Sequence, residues 1–170
     1  MANELSGERL ERLMRQHAAG LELFAAQWSS APEDCVQEAF VQLIRQPVPP
    51  ERVVSWLYRV VRNRAISSQR SWWRRRRREA AFAATRPAWF TSEALTGIEV
   101  EELTEALRRL PHKLREVLVV RIWGGLSFDE ISTALGISAS TAHRRYQACL
   151  LSIRQRLEES CPSTIPSNSS

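Results

Sequence analysis

The stretch GGLSFDEISTALGISASTAHRRYQACLLSIRQRL, Gly124 to Leu157, admits few folds. Ser127 followed three residues on by Glu130 has the spacing of a capping box, which predicts a helix start. Phe128, Ile131, Ala134 and Leu135 then recur at helical spacing and make one apolar face. Gly136 suits the left-handed residue that ends many helices, Ile137 can tuck between helices, and Ser138 can cap the next one. In that next helix the predicted buried stripe is Ala142, Tyr146, Cys149, Leu150, Ile153 and Leu157. The opposite face carries Ser140, Thr141, His143, Arg144 and Gln147, with Arg145 beside them. Hydrogen-bonding side chains on the N-terminal half of the second helix, after so short a turn, fit a DNA-reading helix-turn-helix. An ordinary helical hairpin with a solvated polar face would look similar, so the remainder of the chain decides between them.

The positive charge is concentrated. From Arg52 to Arg78 there are ten arginines and no acid, whereas the 170-residue chain totals +5, leaving −5 for everything else. One basic segment of this kind is the footprint of a polyanion site. It begins as a helix, ERVVSWLYRVVRNRAISSQR, with a core stripe of Val53, Leu57, Val60, Val61 and Ala65. Trp56 and Tyr58 cannot both point into that stripe, so at least one is expected toward the surface. Aromatic rings among arginines suit unpaired bases, which stack while guanidinium groups hold phosphates. The run SWWRRRRRE closes the segment.

The other words read as helices and breaks. Residues 4–28 form an amphipathic helix with Gly20 as a potential break, and PEDCVQEAFVQLIR follows with Pro32 in its first turn. The latter buries Val36 (or Cys35), Ala39, Phe40 and Leu43, and shows Asp34, Gln37, Glu38 and Gln42 on its polar face. Gln46-Pro47-Val48-Pro49-Pro50 is a loop. Residues 79–98 change to an Ala-rich, low-charge linker broken by Pro87. Helical periodicity resumes at Glu99, and Pro111–Trp123 carries a core face of Leu114, Val117, Leu118 and Ile122. The prediction is an all-α chain: one domain over 1–78, a flexible linker over 79–98, a second domain over 99–158 and a disordered Pro/Ser-rich tail over 159–170. No apolar run reaches the ~20 residues of a membrane span, and the charged N-terminus is unlike a signal peptide, so the expectation is a cytoplasmic protein. Cys35 and Cys149 fall on apolar faces and read as buried thiols, and the three histidines have no metal-ligand spacing. No nucleophile pair, carboxylate pair or phosphate loop appears, so neither an enzyme nor a bound cofactor or metal is expected.

Two segments in order carry a family resemblance. LRRLPHKLREVLVVRIWGGLSFDEISTALGISASTAHRRYQACLLSIRQRL resembles region 4 of bacterial sigma-70 factors. APEDCVQEAFVQLIR followed by WLYRVVRNRAISSQR resembles region 2. Joining the two directly, with no region 1.1 or region 3 domain, resembles the extracytoplasmic-function (ECF) group. The resemblance implies a factor that binds core RNA polymerase through its β′ clamp and β flap, directs it to promoter DNA and helps open the duplex, in some cases under an anti-sigma factor. Carried over by position, Asp34, Gln37 and Glu38 match the clamp-docking surface. Trp56, Tyr58, Arg59, Arg62, Asn63, Arg70, Arg74 and Arg75 lie in the part that reads and melts the −10 element. Ser140, Thr141, His143, Arg144, Arg145 and Gln147 match the helix that enters the −35 major groove. The linker resembles those that thread toward the active-site cleft of the polymerase. Three features depart from the pattern: the loop at 47–50 is proline-rich where the family more often has a polar, Gly-containing loop, the N-terminal part is short between the first helix and the clamp-docking helix, and Ser71-Trp72-Trp73 maps onto no motif of the resemblance. A stand-alone helix-turn-helix regulator would explain 99–157 as well, but leaves VQEAF and WLYRVVRN as accidents.

Overall fold

The computed structural model describes residues 6–78 and 107–160, without the side chains of 72–78, 157, 159 and 160. The linker expected over 79–98 therefore lies outside the described residues, as do 99–106 and 161–170. The helices are α1 (Gly7–Ala25), α2 (Pro32–Ile44), α3 (Val53–Arg78), α4 (His112–Ile122), α5 (Phe128–Leu135) and α6 (Ala139–Ser160). There is no strand among the described residues. Helix α6 runs through Ser160, past the start expected for the tail.

Helices α1 to α3 form the first lobe. Ser6 caps α1 by accepting a hydrogen bond from the Arg9 amide at 3.3 Å. Pro32 opens α2, where Glu33 and Asp34 complement the positive helix end. Leu21, Phe24, Ala39, Phe40, Leu43, Leu57, Val61 and Ala65 are buried together. Both Cys35 and Val36 are buried, so the two-way reading of that face resolves to both. Gly20 does not break α1. It lies inside the helix and is buried, and a Cβ there would stand 2.9 Å from the Tyr58 hydroxyl and 3.0 Å from the Trp123 Cβ. Its lack of a side chain is what lets α1 approach both.

Helices α4 to α6 form the second lobe, and its local signals are met as read. Ser127 and Glu130 make a reciprocal capping box: the Ser127 hydroxyl accepts from the Glu130 amide at 3.3 Å, and Glu130 Oε2 accepts from the Ser127 amide at 2.8 Å. Gly136 has φ 67°, a left-handed residue that donates its amide to the Ser132 carbonyl. Ser138 accepts from the Thr141 amide at 3.1 Å and so caps α6.

Two core assignments are corrected. Ile122 is 53 % exposed, while Val119 and Val120 are buried. Helix α4 packs against α1, α5 and α6 at once, so a single-stripe reading omits its second buried side. Leu150 is also exposed, because Cys149 takes the inward position that follows Ala142 by seven residues, and the next residue turns about 100° away. Burial pushes the Cys149 thiol up to about 12, and its S–H donates to the Leu114 carbonyl at 3.0 Å.

The two lobes pack together into one continuous core. Helix α3 lies against α5, and α1 against α4. This second wall explains how both aromatics of α3 find cover. Tyr58 is fully buried and Trp56 is half-buried against the core.

Candidate nucleic-acid interface

The helix-turn-helix places its polar face at the surface. Ser140, His143, Arg144 and Gln147 are exposed, with Thr141 and Arg145 partly so. Ala142 and Cys149 on the opposite side are fully buried, which fixes the rotation of α6. The hydroxyls are tied into the cap: Ser138 Oγ lies 3.1 Å from Ser140 Oγ and donates to Thr141 Oγ1 at 2.8 Å. The ring of His143 meets the edge of Phe128 at 5.0 Å, and Phe128 meets Tyr146 at 5.8 Å, so α5 and α6 are clasped by aromatics. Arg121 buttresses the same group, with its guanidinium 4.9 Å over Phe128 and a donor to the Leu126 carbonyl at 2.6 Å. Arg144 makes no hydrogen bond or ion pair among the described residues, so its donor fork is available. A planar guanidinium offers the two parallel donors that match guanine O6 and N7.

Helix α3 divides its residues between two environments. Arg59, Asn63 and Arg70 are exposed. Arg74 and Arg75 continue the helix, but their side chains lie outside the described ones, as do those of Trp72 and Trp73. Arg62 is different: its Nε donates to Glu116 Oε1 at 3.0 Å, with 28 % of the Arg62 side chain exposed and 4 % of that of Glu116. Tyr58 was expected among the base-stacking residues, yet in this arrangement it has no exposed surface. Burial raises its pKa above the ordinary phenol range, and its hydroxyl finds no partner among the described residues. Of the aromatic pair, only Trp56 keeps any access to solvent.

On α2, Asp34 and Gln37 are exposed and Glu38 partly so, on one face. Glu38 accepts from Gln42 Nε2 at 3.4 Å and faces Arg64 at 3.8 Å. That leaves a mostly solvated acidic face, suited to a basic partner.

Besides Tyr58 and Arg62, the contacts between lobes use residues that sequence reading did not single out. Ser55, 2 % exposed, donates its hydroxyl to the Glu130 carbonyl at 2.9 Å. His112 Nε2 lies 3.3 Å from the Gln27 carbonyl, so Nε2 carries the proton in the neutral ring. A file of edge-on rings crosses the seam: Tyr58 and Trp28 each meet Phe24 at 5.1 Å, and Trp28 meets His112 at 4.6 Å. A sequence signal existed for Glu116, the lone acid between Pro111 and Ser127 in an otherwise apolar and basic run. No group of histidine, cysteine or acidic side chains that could hold a metal exists among the described residues. None of the described helices is long and apolar enough to cross a membrane.

Comparison with known proteins gives the family and the fold. Residues 8–79 match the family model "Sigma-70 region 2", and residues 100–150 match "Sigma-70, region 4". The chain is 31% identical over 138 residues to RNA polymerase sigma factor SigZ of Bacillus subtilis, covering 78% of this chain and 76% of the relative. It is 28% identical over 158 residues to RNA polymerase sigma factor CarQ of Myxococcus xanthus, covering 89% and 91%. ECF RNA polymerase sigma factor SigK of Mycobacterium tuberculosis is 26% identical over 136 residues, covering 75% and 73%. Among solved structures, the fold is similar to sigma factor RpoE crystallised with the anti-sigma factor NepR from Bartonella quintana. That match has a TM-score of 0.67 and 19% identity, covering 87% of this chain and 95% of the other. It is also similar to CnrH in complex with the cytosolic domain of CnrY, with a TM-score of 0.58 and 22% identity, covering 93% and 94%. With region 2 and region 4 matched in order and helices laid out as in these folds, the chain belongs to the sigma-70 family, as an ECF-type, non-catalytic factor of transcription initiation.

Proposed function

We propose that this sigma factor acts in the cytoplasm, binds core RNA polymerase, and carries it to promoters read at a −10 and a −35 element. The observation that carries the reading is the exposed face of Ser140, His143, Arg144 and Gln147 on a capped, rotationally fixed helix of a helix-turn-helix. That face enters the −35 major groove, with Arg144 as a base-reading donor. The basic face of α3, led by Arg59, Asn63 and Arg70 and continuing through Arg74 and Arg75, tracks the −10 strand, and Trp56 offers a ring to an unpaired base. Asp34, Gln37 and Glu38 dock on the β′ clamp, and the second lobe sits at the β flap. Because both solved relatives are held by a partner, RpoE by the anti-sigma factor NepR and CnrH by CnrY, an anti-sigma factor belongs among the candidate regulators of this chain as well.

Run-off transcription on a pool of genomic fragments tests the reading. Core polymerase with this chain is expected to give discrete transcripts that core alone does not. Charge reversal at Asp34 and Glu38 is expected to abolish them while helicity is retained. A chain that binds core but starts no transcript on any fragment would contradict the proposal.

A further inference from the structure

The reading face of α6 is held at one side and free at the other. Arg144 is exposed and makes no hydrogen bond or ion pair among the described residues. His143 lies about 100° round the helix from it, on the side where α5 begins. There its ring meets Phe128 at 5.0 Å and an interplanar angle of 81°. Phe128 is in turn fixed from several sides. It is the first residue of α5, directly after the Ser127 cap. Tyr146, which packs against the core, meets its ring at 5.8 Å. The Arg121 guanidinium lies 4.9 Å over that ring and donates to the carbonyl of the buried Leu126 at 2.6 Å.

Joining α5 to α6 does not need His143. Phe128 and Tyr146 already close that contact against the core, whereas His143 is exposed. What the edge-on contact does is restrict the imidazole. An exposed side chain loses rotamer freedom when a bound partner orders it, and a ring already seated loses less. The contact is ring to ring, so both imidazole nitrogens remain without a hydrogen-bond partner among the described residues. In either protonation state an imidazole carries at least one N–H donor. In the major groove adenine and guanine both present N7 as an acceptor. A single seated donor suits that single atom, whereas the fork of Arg144 suits the O6 and N7 pair of guanine.

We infer that Phe128, braced by Arg121, is a positioning residue for base reading: it seats His143 so that the imidazole donates to the N7 of a purine in the −35 element, a different base from the one read by Arg144. The inference deepens the −35 reading proposed above and rests on it. It carries a specific consequence. At the position read by His143 the preference is for purine over pyrimidine on that strand, with little choice between adenine and guanine.

The test uses holoenzyme on a fragment that gives a discrete run-off transcript. The chains are wild type, His143→Ala, Arg144→Ala, Phe128→Leu, Phe128→Tyr and Arg121→Gln. Each purine on either strand of the −35 element is replaced in turn by its deaza analogue, in which a C–H stands where N7 was, and competition binding reads the loss. In wild type one such loss, about three- to tenfold, is expected to persist in Arg144→Ala and to vanish in His143→Ala. Phe128→Leu keeps an apolar side chain without the ring and is expected to reduce that same loss, while Phe128→Tyr, which keeps the ring, retains it. Arg121→Gln leaves the ring in place and is expected to reduce the loss by less, which keeps the test available if circular dichroism shows Phe128→Leu unfolded. A Phe128→Leu chain that weakens every fragment equally and leaves the deaza losses unchanged has lost only structure, and overturns the positioning role. If no deaza loss depends on His143 while one depends on Arg144, the inference fails and the −35 reading survives. Holoenzyme indifferent to every −35 substitution overturns both.

Discussion

Arg62 Nε donates to Glu116 Oε1 at 3.0 Å across 54 positions of sequence, joining a first-lobe helix to a second-lobe helix. With the carboxylate nearly sealed from water, removing one partner strands the other. Breaking a buried pair within a rigid core costs about 3–5 kcal/mol. A double-mutant cycle of Arg62→Ala and Glu116→Ala on thermal stability is expected to give a coupling of about 1–3 kcal/mol. Additive single effects would show that the pair is not coupled in solution.

Tyr58 gives a prediction of opposite sign for two substitutions. Its ring is buried beside Phe24, so Tyr58→Ala is expected to lose about 3–5 kcal/mol of stability and to damage every activity alike. Its hydroxyl has no partner among the described residues, and a lone buried hydroxyl costs about 1–3 kcal/mol. Tyr58→Phe is therefore expected to be neutral or stabilising. Calorimetry of both variants decides it; a clear loss for Tyr58→Phe would mean that the hydroxyl is bonded.

Arg144 and Arg59 should fail differently. Arg144→Ala is expected to lose about 1–3 kcal/mol on the preferred −35 sequence and to relax preference at one position. Arg59→Ala is expected to weaken all sequences alike and flatten the salt dependence by about one phosphate contact. Binding titrations of holoenzyme on −35 variants at several salt concentrations separate the two.

Acidification is expected to destabilise the fold through His112 and His17. Burial lowers both from their ordinary 6.5, overriding for His112 the opposing pull of the Gln27 carbonyl and of Glu116, and reinforced there by Arg115 and Arg62. The folded state thus prefers the neutral rings, and below pH 6.5 the unfolded chain binds more protons. Their stabilising effect is complete above 6.5 and declines as pH falls toward the lower folded values. Melting followed from pH 7.5 to 5.5 (about one unit either side of the ordinary imidazole value) checks this, with His112→Gln expected to flatten the slope.

What could be read from residues alone was whatever depends on neighbours in sequence. The capping box of Ser127 and Glu130, the left-handed Gly136 and the cap at Ser138 are local, and each was legible because its partners lie within a turn. The exposed face of α6 followed from the same periodicity. The seam was not legible. Gly20 looked like a helix break because its reason, the approach of Tyr58 and Trp123, comes from two distant segments. Ile122 looked buried because one stripe was assumed for a helix that has neighbours on several sides. Tyr58 and Trp56 looked incompatible with one core because the second wall belongs to the other lobe.

The central claim is that this chain makes core polymerase open promoter DNA. Permanganate footprinting on a linear promoter fragment tests it most directly, comparing core alone with core plus the chain, and a closed template with one already mismatched across the −10 region. Unpaired thymines are expected on the closed template only when the chain is present. Trp56→Ala is expected to reduce that reactivity and to do less harm on the mismatched template, because stacking on a ring, about 1–3 kcal/mol per base, acts only once bases are unpaired. If core polymerase takes up the chain and the closed template stays unreactive on the fragments that it retains, the account is contradicted.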